Sequence, residues 1–126
     1  DKGPCKVGIR DPFDPDRDTL WGIVTLDHGA VVTSGTYERH FMINGKRYCH
    51  IVDPRTGQPI ETDIVSVTIV DPSGAMADAL ATTVFVMGEE KGRRLIDERP
   101  GTEMIIIRSD QSFFVTDGLK ETFKKL

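Results

Sequence analysis

The sequence predicts an α+β fold in which antiparallel hairpins pack against two main helices and a short C-terminal helix. Three observations carry that prediction. Asn44-Gly45 lies between two extended segments, and this dipeptide is the strongest short hairpin signal available. Asp71-Pro72-Ser73-Gly74 precedes an apolar helical run that stops at Gly88, so one helix has both a start and an end written locally. The elements also come as strands, then helices, then strands, and neighbours joined by tight turns pair antiparallel.

Taken in order, residues 6–10 read as a first strand with no local partner upstream, followed by a Pro-punctuated polar loop over residues 11–18. Residues 21–26 alternate as a strand, Asp27-His28-Gly29 turns, and residues 30–33 begin the next strand. Ser34-Gly35 is expected to interrupt that strand, as a bulge or as an opening of backbone N–H groups, before residues 38–43 continue extended. Residues 47–52 form the partner across Asn44-Gly45, and Asp53-Pro54 with Thr56-Gly57 makes a rigid turn. Residues 64–70 read as a half-buried strand with Val65, Val67 and Ile69 on one face and Ser66 and Thr68 on the other. The helix opened by residues 71–74 runs to Met87, with Ala77, Leu80, Val84 and Met87 as its core face. A second, shorter helix covers residues 89–98. A hairpin of residues 103–108 and 112–116 follows, and a short helix comes after Asp117-Gly118.

A length of 126 residues supports one domain with a real core, and 38% hydrophobic with 29% charged residues argues against a disordered chain. The net charge of −4 and the lack of a basic patch argue against a nucleic-acid partner. The densest basic run, Lys91-Gly92-Arg93-Arg94, follows Glu89-Glu90 directly and reads as a solvated helix face. No apolar run approaches the roughly 18 residues of a membrane-spanning helix. Cys5 and Cys49 are too few for a disulfide framework and lack metal-ligand spacing.

The residues that could carry chemistry fall in three places. On a helical projection Asp78 and Thr82 lie within about 40° of each other, roughly opposite the core face. They sit in a segment, residues 75–87, that holds no other charge. A carboxylate and a hydroxyl are hard oxygen ligands of the kind Mg²⁺ takes; a solvent-facing pair is the alternative. His50 ends a strand just before the polar turn containing Asp53, Arg55 and Thr56, where an imidazole could remove a proton from a hydroxyl or serve structurally. Ser34-Gly35 with Tyr37 offers backbone donors and an aromatic face, and Arg55 could bridge a phosphate or pair with an acid. A base with a hard-metal pair and little else suggests chemistry on a phosphate anhydride.

These residues resemble the ApbE family, the FAD:protein FMN transferases. The resemblance rests on Thr33-Ser34-Gly35-Thr36-Tyr37-Glu38-Arg39, on Gly45 through Gly57 with His50-Ile51-Val52-Asp53-Pro54-Arg55-Thr56-Gly57, on Val65-Ser66-Val67-Thr68-Ile69-Val70, on Met76-Ala77-Asp78-Ala79-Leu80-Ala81-Thr82, and on Phe85-Val86-Met87-Gly88, in that order. Cys49 and Thr36 depart from the pattern, at positions without an expected functional role.

The resemblance implies an ApbE-like, T-fold-like partial domain. It also implies transfer of FMN from FAD to a Thr or Ser hydroxyl of a target flavoprotein, with release of AMP, or in some members hydrolysis of FAD to FMN and AMP. A non-catalytic flavin-binding protein is a further alternative, disfavoured by the joint presence of Asp78, Thr82 and His50. By position, Asp78 and Thr82 correspond to the Mg²⁺ ligands and His50 to the base, while Ser34, Gly35, Tyr37 and Arg55 correspond to the flavin-nucleotide surface. Residues 1–126 are expected to be a C-terminal portion of such a domain with the N-terminal half absent. Alone, they should bind FAD weakly and self-associate through uncovered surface. The acceptor is expected to carry an Asp-x-x-[Ser/Thr]-Gly-Ala-[Ser/Thr] type motif. The location implied is the outward, periplasmic face of a bacterial membrane, through a lipid anchor.

Overall fold

The computed structural model describes residues 5–13, 19–26, 29–35, 40–43, 46–49 and 63–126; for Cys5 and residues 40–43 and 46–49 only the strand path is described. Three antiparallel sheets and two helices are described. In the first sheet β1 (Cys5–Arg10) pairs with β2 (Leu20–Leu26), so the first strand finds its partner downstream rather than upstream. The second sheet contains β3 (Ala30–Gly35), β6 (Ile64–Asp71), β7 (Glu103–Arg108) and β8 (Phe113–Val115), in the order β3-β6-β7-β8. The third is the antiparallel pair of β4 (His40–Ile43) and β5 (Lys46–Cys49), with Ile43 opposite Lys46; Asn44-Gly45 lies outside the described residues.

Helix α1 (Gly74–Met87) follows β6 through a tight corner, and α2 (Glu89–Asp97) follows α1 across Gly88 alone. Ser73 caps α1 by accepting the Met76 N–H at 3.2 Å. Gly88 ends α1 at φ +90, a backbone conformation that side chains resist, and its N–H reaches back to the Val84 carbonyl at 2.9 Å.

The four-stranded sheet is the middle of three layers. On one face Ile64, Val67, Ile69, Met104 and Ile106 pack against Ala77, Leu80, Ala81, Val84 and Phe85 of α1 and Ile96 of α2. On the other, Ile105 and Ile107 meet Ile9, Trp21, Val24 and Leu119. A strand covered on both sides has no polar face to offer, which explains why Met104 to Ile107 is one unbroken apolar run. Each fully buried Ile or Phe is worth about 2–3 kcal/mol of transfer free energy, and this double layer holds most of them.

Four expectations are corrected. First, β6 is not half-buried, because Ser66 and Thr68 are as enclosed as Val67. Its register against β7 shifts between Ile64 and Ser66; Ile64 therefore joins the helix-side core, while Val65 packs on the opposite face with Val70. Second, Ser34-Gly35 does not interrupt its strand: Ser34 pairs with Val67 and Gly35 with Ser66 in unbroken register. Third, Met87 is 36% exposed and Ala81 and Phe85 take its place in the core. Fourth, the short C-terminal helix is a single 3-10 turn, Asp117–Leu119. It leads into β9 (Phe123–Lys125), which adds to β2 with Val24 opposite Phe123. Phe123 stacks on Trp21 at 5.5 Å, and a Cβ on Gly22 would stand 2.7 Å from its ring. That aromatic contact, invisible in local sequence, is what fixes the last strand.

Candidate active site

The placement of α1 decides where Asp78 and Thr82 stand. The helix packs over β3 and β6, and α2 lies beside it toward β7. Gly74 starts α1 next to Ala30, where a Cβ on Gly74 would be 3.6 Å from the Ala30 Cβ. Because α1 reverses from β6, it runs alongside β3 in the same direction. At about 1.5 Å per helical residue Thr82 is about 12 Å along α1, and at about 3.3 Å per strand residue Ser34 is about 13 Å along β3. The two residues therefore stand at one level.

The helix also has a defined rotation. Val84 faces α2, since a Cβ on Gly92 would stand 2.6 Å from its Cγ1. On the helical wheel Asp78 lies about 120° and Thr82 about 160° from Val84. Their flank thus points away from α2, past β3, the outermost strand of the sheet among the described residues. This refines the expectation that the pair sits opposite the core: it sits on the core's shoulder, with Asp78 exposed and Thr82 half-buried. Ser34 lies on the helix-facing side of β3, opposite Val67, and both Ser34 and Gly35 are buried. Asp78, Thr82 and the Ser34-Gly35 end of β3 thus share one edge of the molecule. His50, Tyr37 and Arg55, with Asp53, lie outside the described residues.

The donor chemistry fits a hard divalent cation. Asp78 makes no ion pair among the described residues. The neighbouring Thr83 hydroxyl is committed to the Ala79 carbonyl at 2.7 Å on the far side of the helix, so Thr82 is the hydroxyl on the same flank as Asp78. A carboxylate and a hydroxyl one turn apart suit Mg²⁺, which takes few protein oxygens and completes its octahedron with water and phosphate oxygens. Among the described residues no group of three or more His, Cys, Asp or Glu side chains could hold a metal ion, so the pair is a partial ligand set. Away from this pair, a cavity of about 380 Å³ opens between the layers, lined by Val24, Leu26, Val70, Glu103 and Leu119.

Sequence reasoning assigns Asp71 only to the start of the helix, and the structure gives it more to do. Its Oδ2 accepts the Ser73 N–H at 2.9 Å and its Oδ1 accepts the Thr102 hydroxyl at 2.5 Å. The Thr102 hydroxyl first, then the Ser73 N–H and the charge of Arg99, hold the Asp71 carboxyl below its ordinary range against the opposing effect of burial. No local signal names Thr102 as the partner, since it lies 31 residues away.

The ApbE family model matches residues 1–106. A Treponema pallidum protein named FAD:protein FMN transferase is 42% identical over 120 residues, covering 95% of this chain and 33% of the relative. A Klebsiella pneumoniae protein of the same name is 34% identical over 124 residues, covering 98% of this chain and 39% of the relative. The chain thus spans between a third and two fifths of the length of these relatives. Among solved structures, an ApbE protein of Thermotoga maritima superposes with a TM-score of 0.80 at 36% identity, over 96% of this chain and 38% of that one. The flavin transferase ApbE of Vibrio cholerae superposes with a TM-score of 0.72 at 32% identity, over 94% of this chain and 38% of that one. The chain belongs to the ApbE family.

Proposed function

We propose that this chain is part of an FAD:protein FMN transferase, which moves FMN from FAD to a Thr or Ser hydroxyl of a target flavoprotein and releases AMP. The observation that carries the reading is the Asp78–Thr82 pair on one flank of α1, level with Ser34 at the end of β3. In the proposed reaction the acceptor hydroxyl oxygen bonds to the FMN phosphorus, and the P–O bond to the AMP phosphate breaks. AMP leaves with the electron pair, and the hydroxyl proton passes to His50. Such a transfer asks for positioning and charge neutralisation more than for covalent help from the protein. Asp78 through its carboxylate and Thr82 through its hydroxyl hold Mg²⁺, which supplies neutralisation of the pyrophosphate charge. Ser34, Gly35, Tyr37 and Arg55 form part of the surface that receives the flavin nucleotide, a role supported by the family resemblance.

The 126 residues on their own are proposed to bind FAD weakly and to self-associate, which flavin titration and light scattering test. A lipid anchor at the outward face of a bacterial membrane is proposed for the whole protein and is tested by fractionation. The function itself is tested by incubating the intact protein with FAD, Mg²⁺ and an acceptor carrying the Thr/Ser motif, and weighing the acceptor by mass spectrometry. The expected result is an FMN adduct with wild type that is lost with Asp78→Ala and with His50→Ala. Release of FMN and AMP without an adduct would replace the reading with an FAD pyrophosphatase. FAD binding with neither product would replace it with a flavin-binding protein.

A further inference from the structure

The first turn of α1 has little of its own to hold it. Gly74, Ala75, Met76, Asp78 and Ala79 are all exposed, and Ala77 is the only buried residue before Leu80. The turn carries no acidic side chain to complement the helix N-terminus, and its one side-chain cap is the 3.2 Å bond from the Met76 N–H to Ser73 Oγ. Asp78, one turn in, takes its position from this poorly packed stretch.

What fixes it is a chain of contacts below the helix. Arg99 accepts the Thr102 N–H on its carbonyl at 3.1 Å, closing the turn that follows α2. The Thr102 hydroxyl donates to Asp71 Oδ1 at 2.5 Å, and both side chains are buried, at 5% and 6% exposure. Asp71 Oδ2 in turn holds the Ser73 N–H at 2.9 Å, and the Ser73 carbonyl accepts the first helical N–H, from Ala77, at 2.9 Å. The turn at Gly29 closes the corner from the other side; its φ is +98, and a Cβ there would be 2.9 Å from the Asp71 carbonyl oxygen. A buried, charge-assisted bond is among the stronger kinds, and losing the hydroxyl leaves a buried carboxylate oxygen without its donor.

We infer that Thr102, through Asp71, is a positioning residue for the Asp78–Thr82 pair, holding the first turn of α1 where the pair can grip a divalent cation. The inference rests on the reading of that pair as a metal site. Thr102 touches neither metal nor substrate, and its effect passes through Asp71, Ser73 and the helix backbone. A hydroxyl at position 102 is the whole requirement, so serine suffices and valine, its near-isostere, does not.

The test titrates the intact protein with Mn²⁺ alone, reading free Mn²⁺ by electron paramagnetic resonance, and measures exchange of the Ala77 amide in metal-free protein by NMR. Thr102→Val, or Thr102→Ala should the valine prevent folding, is expected to weaken Mn²⁺ binding and speed Ala77 exchange, each by about three- to tenfold. Thr102→Ser is expected to restore both. Ile107→Val, a core truncation in the other layer, serves as the control for general destabilisation and is expected to leave Mn²⁺ affinity unchanged. Wild-type Mn²⁺ affinity in the valine or alanine variant would overturn the inference, as would an equal loss in the serine variant or in Ile107→Val. Asp78→Ala separates the two readings. If it binds Mn²⁺ as wild type does, the metal reading falls and takes the positioning role with it. If it abolishes binding while Thr102→Val changes nothing, only the positioning role falls.

Discussion

Replacing Gly92 by alanine sets two effects of known size against each other. Gly92 lies inside α2, with its N–H bonded to the Gly88 carbonyl at 2.9 Å, and alanine in a helix interior gains about 1 kcal/mol over glycine. The added Cβ, however, would stand 2.6 Å from Val84 Cγ1 and 3.3 Å from its Cβ and Cγ2. Val84 is fully buried on α1, and a helical valine has one strongly preferred rotamer, so it cannot swing aside. Overpacking of this kind costs about 1–3 kcal/mol, which exceeds the propensity gain and leaves a net loss of about 1 kcal/mol. Val84→Ala alone removes about two buried methylene equivalents and costs about 2 kcal/mol. In the double variant the alanine Cβ at 92 enters the space the valine vacates, so the two losses are less than additive by about 1 kcal/mol. Urea denaturation of the four proteins, with midpoints and slopes compared, reads all of this. A Gly92→Ala protein as stable as wild type, or strictly additive losses, would refute the close helix contact. The rotation of α1 that aims Asp78 and Thr82 past β3 would then lose its support.

Two further predictions concern stability. Arg108 donates to Glu89 from Nε at 2.7 Å and Nη2 at 2.5 Å, tying the start of α2 to the end of β7. The Arg108 bond, aided by its charge and that of Arg93, holds the Glu89 carboxyl below its ordinary value of 4.5, against the raising effect of burial. A depressed acid contributes stability above its unfolded-state pKa and loses it as pH falls through the folded value. Glu89→Gln should therefore cost about 1 kcal/mol at pH 7 and show a shallower loss than wild type below about pH 4.5, by thermal melts across pH. Among the described residues Ser66 Oγ is buried without a hydrogen-bond partner, so Ser66→Ala is expected to stabilise the fold by about 1 kcal/mol. A loss of that size in urea denaturation would mean that the hydroxyl has a partner.

The parts of the fold that local chemistry dictates were readable in the sequence. Ser73 and Gly88 bracket α1 as their side chain and backbone require, and the strands expected on either side of Asn44-Gly45 pair antiparallel. Long-range pairing was not readable. Phe123-Lys124-Lys125 carries no alternation of its own and becomes a strand only because β2 offers an edge and Trp21 a ring to stack on. Val65 belongs by period with Val67, but the register shift against β7 turns it to the other layer. Ser34-Gly35 looks like a break because nothing local shows that β6 will pair with it. At the site, spacing alone brought Asp78 and Thr82 onto one flank of the helix; which way that flank faces depended on Gly92 and Val84, across two helices. Thr102 carries no local signal, because a hydroxyl is unremarkable until the carboxylate it meets is known.

The most direct test of the central claim is where the metal goes. Crystals of the intact protein grown with FAD and Mn²⁺ would be measured for anomalous scattering. A manganese peak within about 2.5 Å of both the Asp78 carboxylate and the Thr82 hydroxyl, touching the FAD pyrophosphate, is the result predicted here. Bound FAD with manganese elsewhere, or with Asp78 and Thr82 turned to solvent and free of it, would contradict the account.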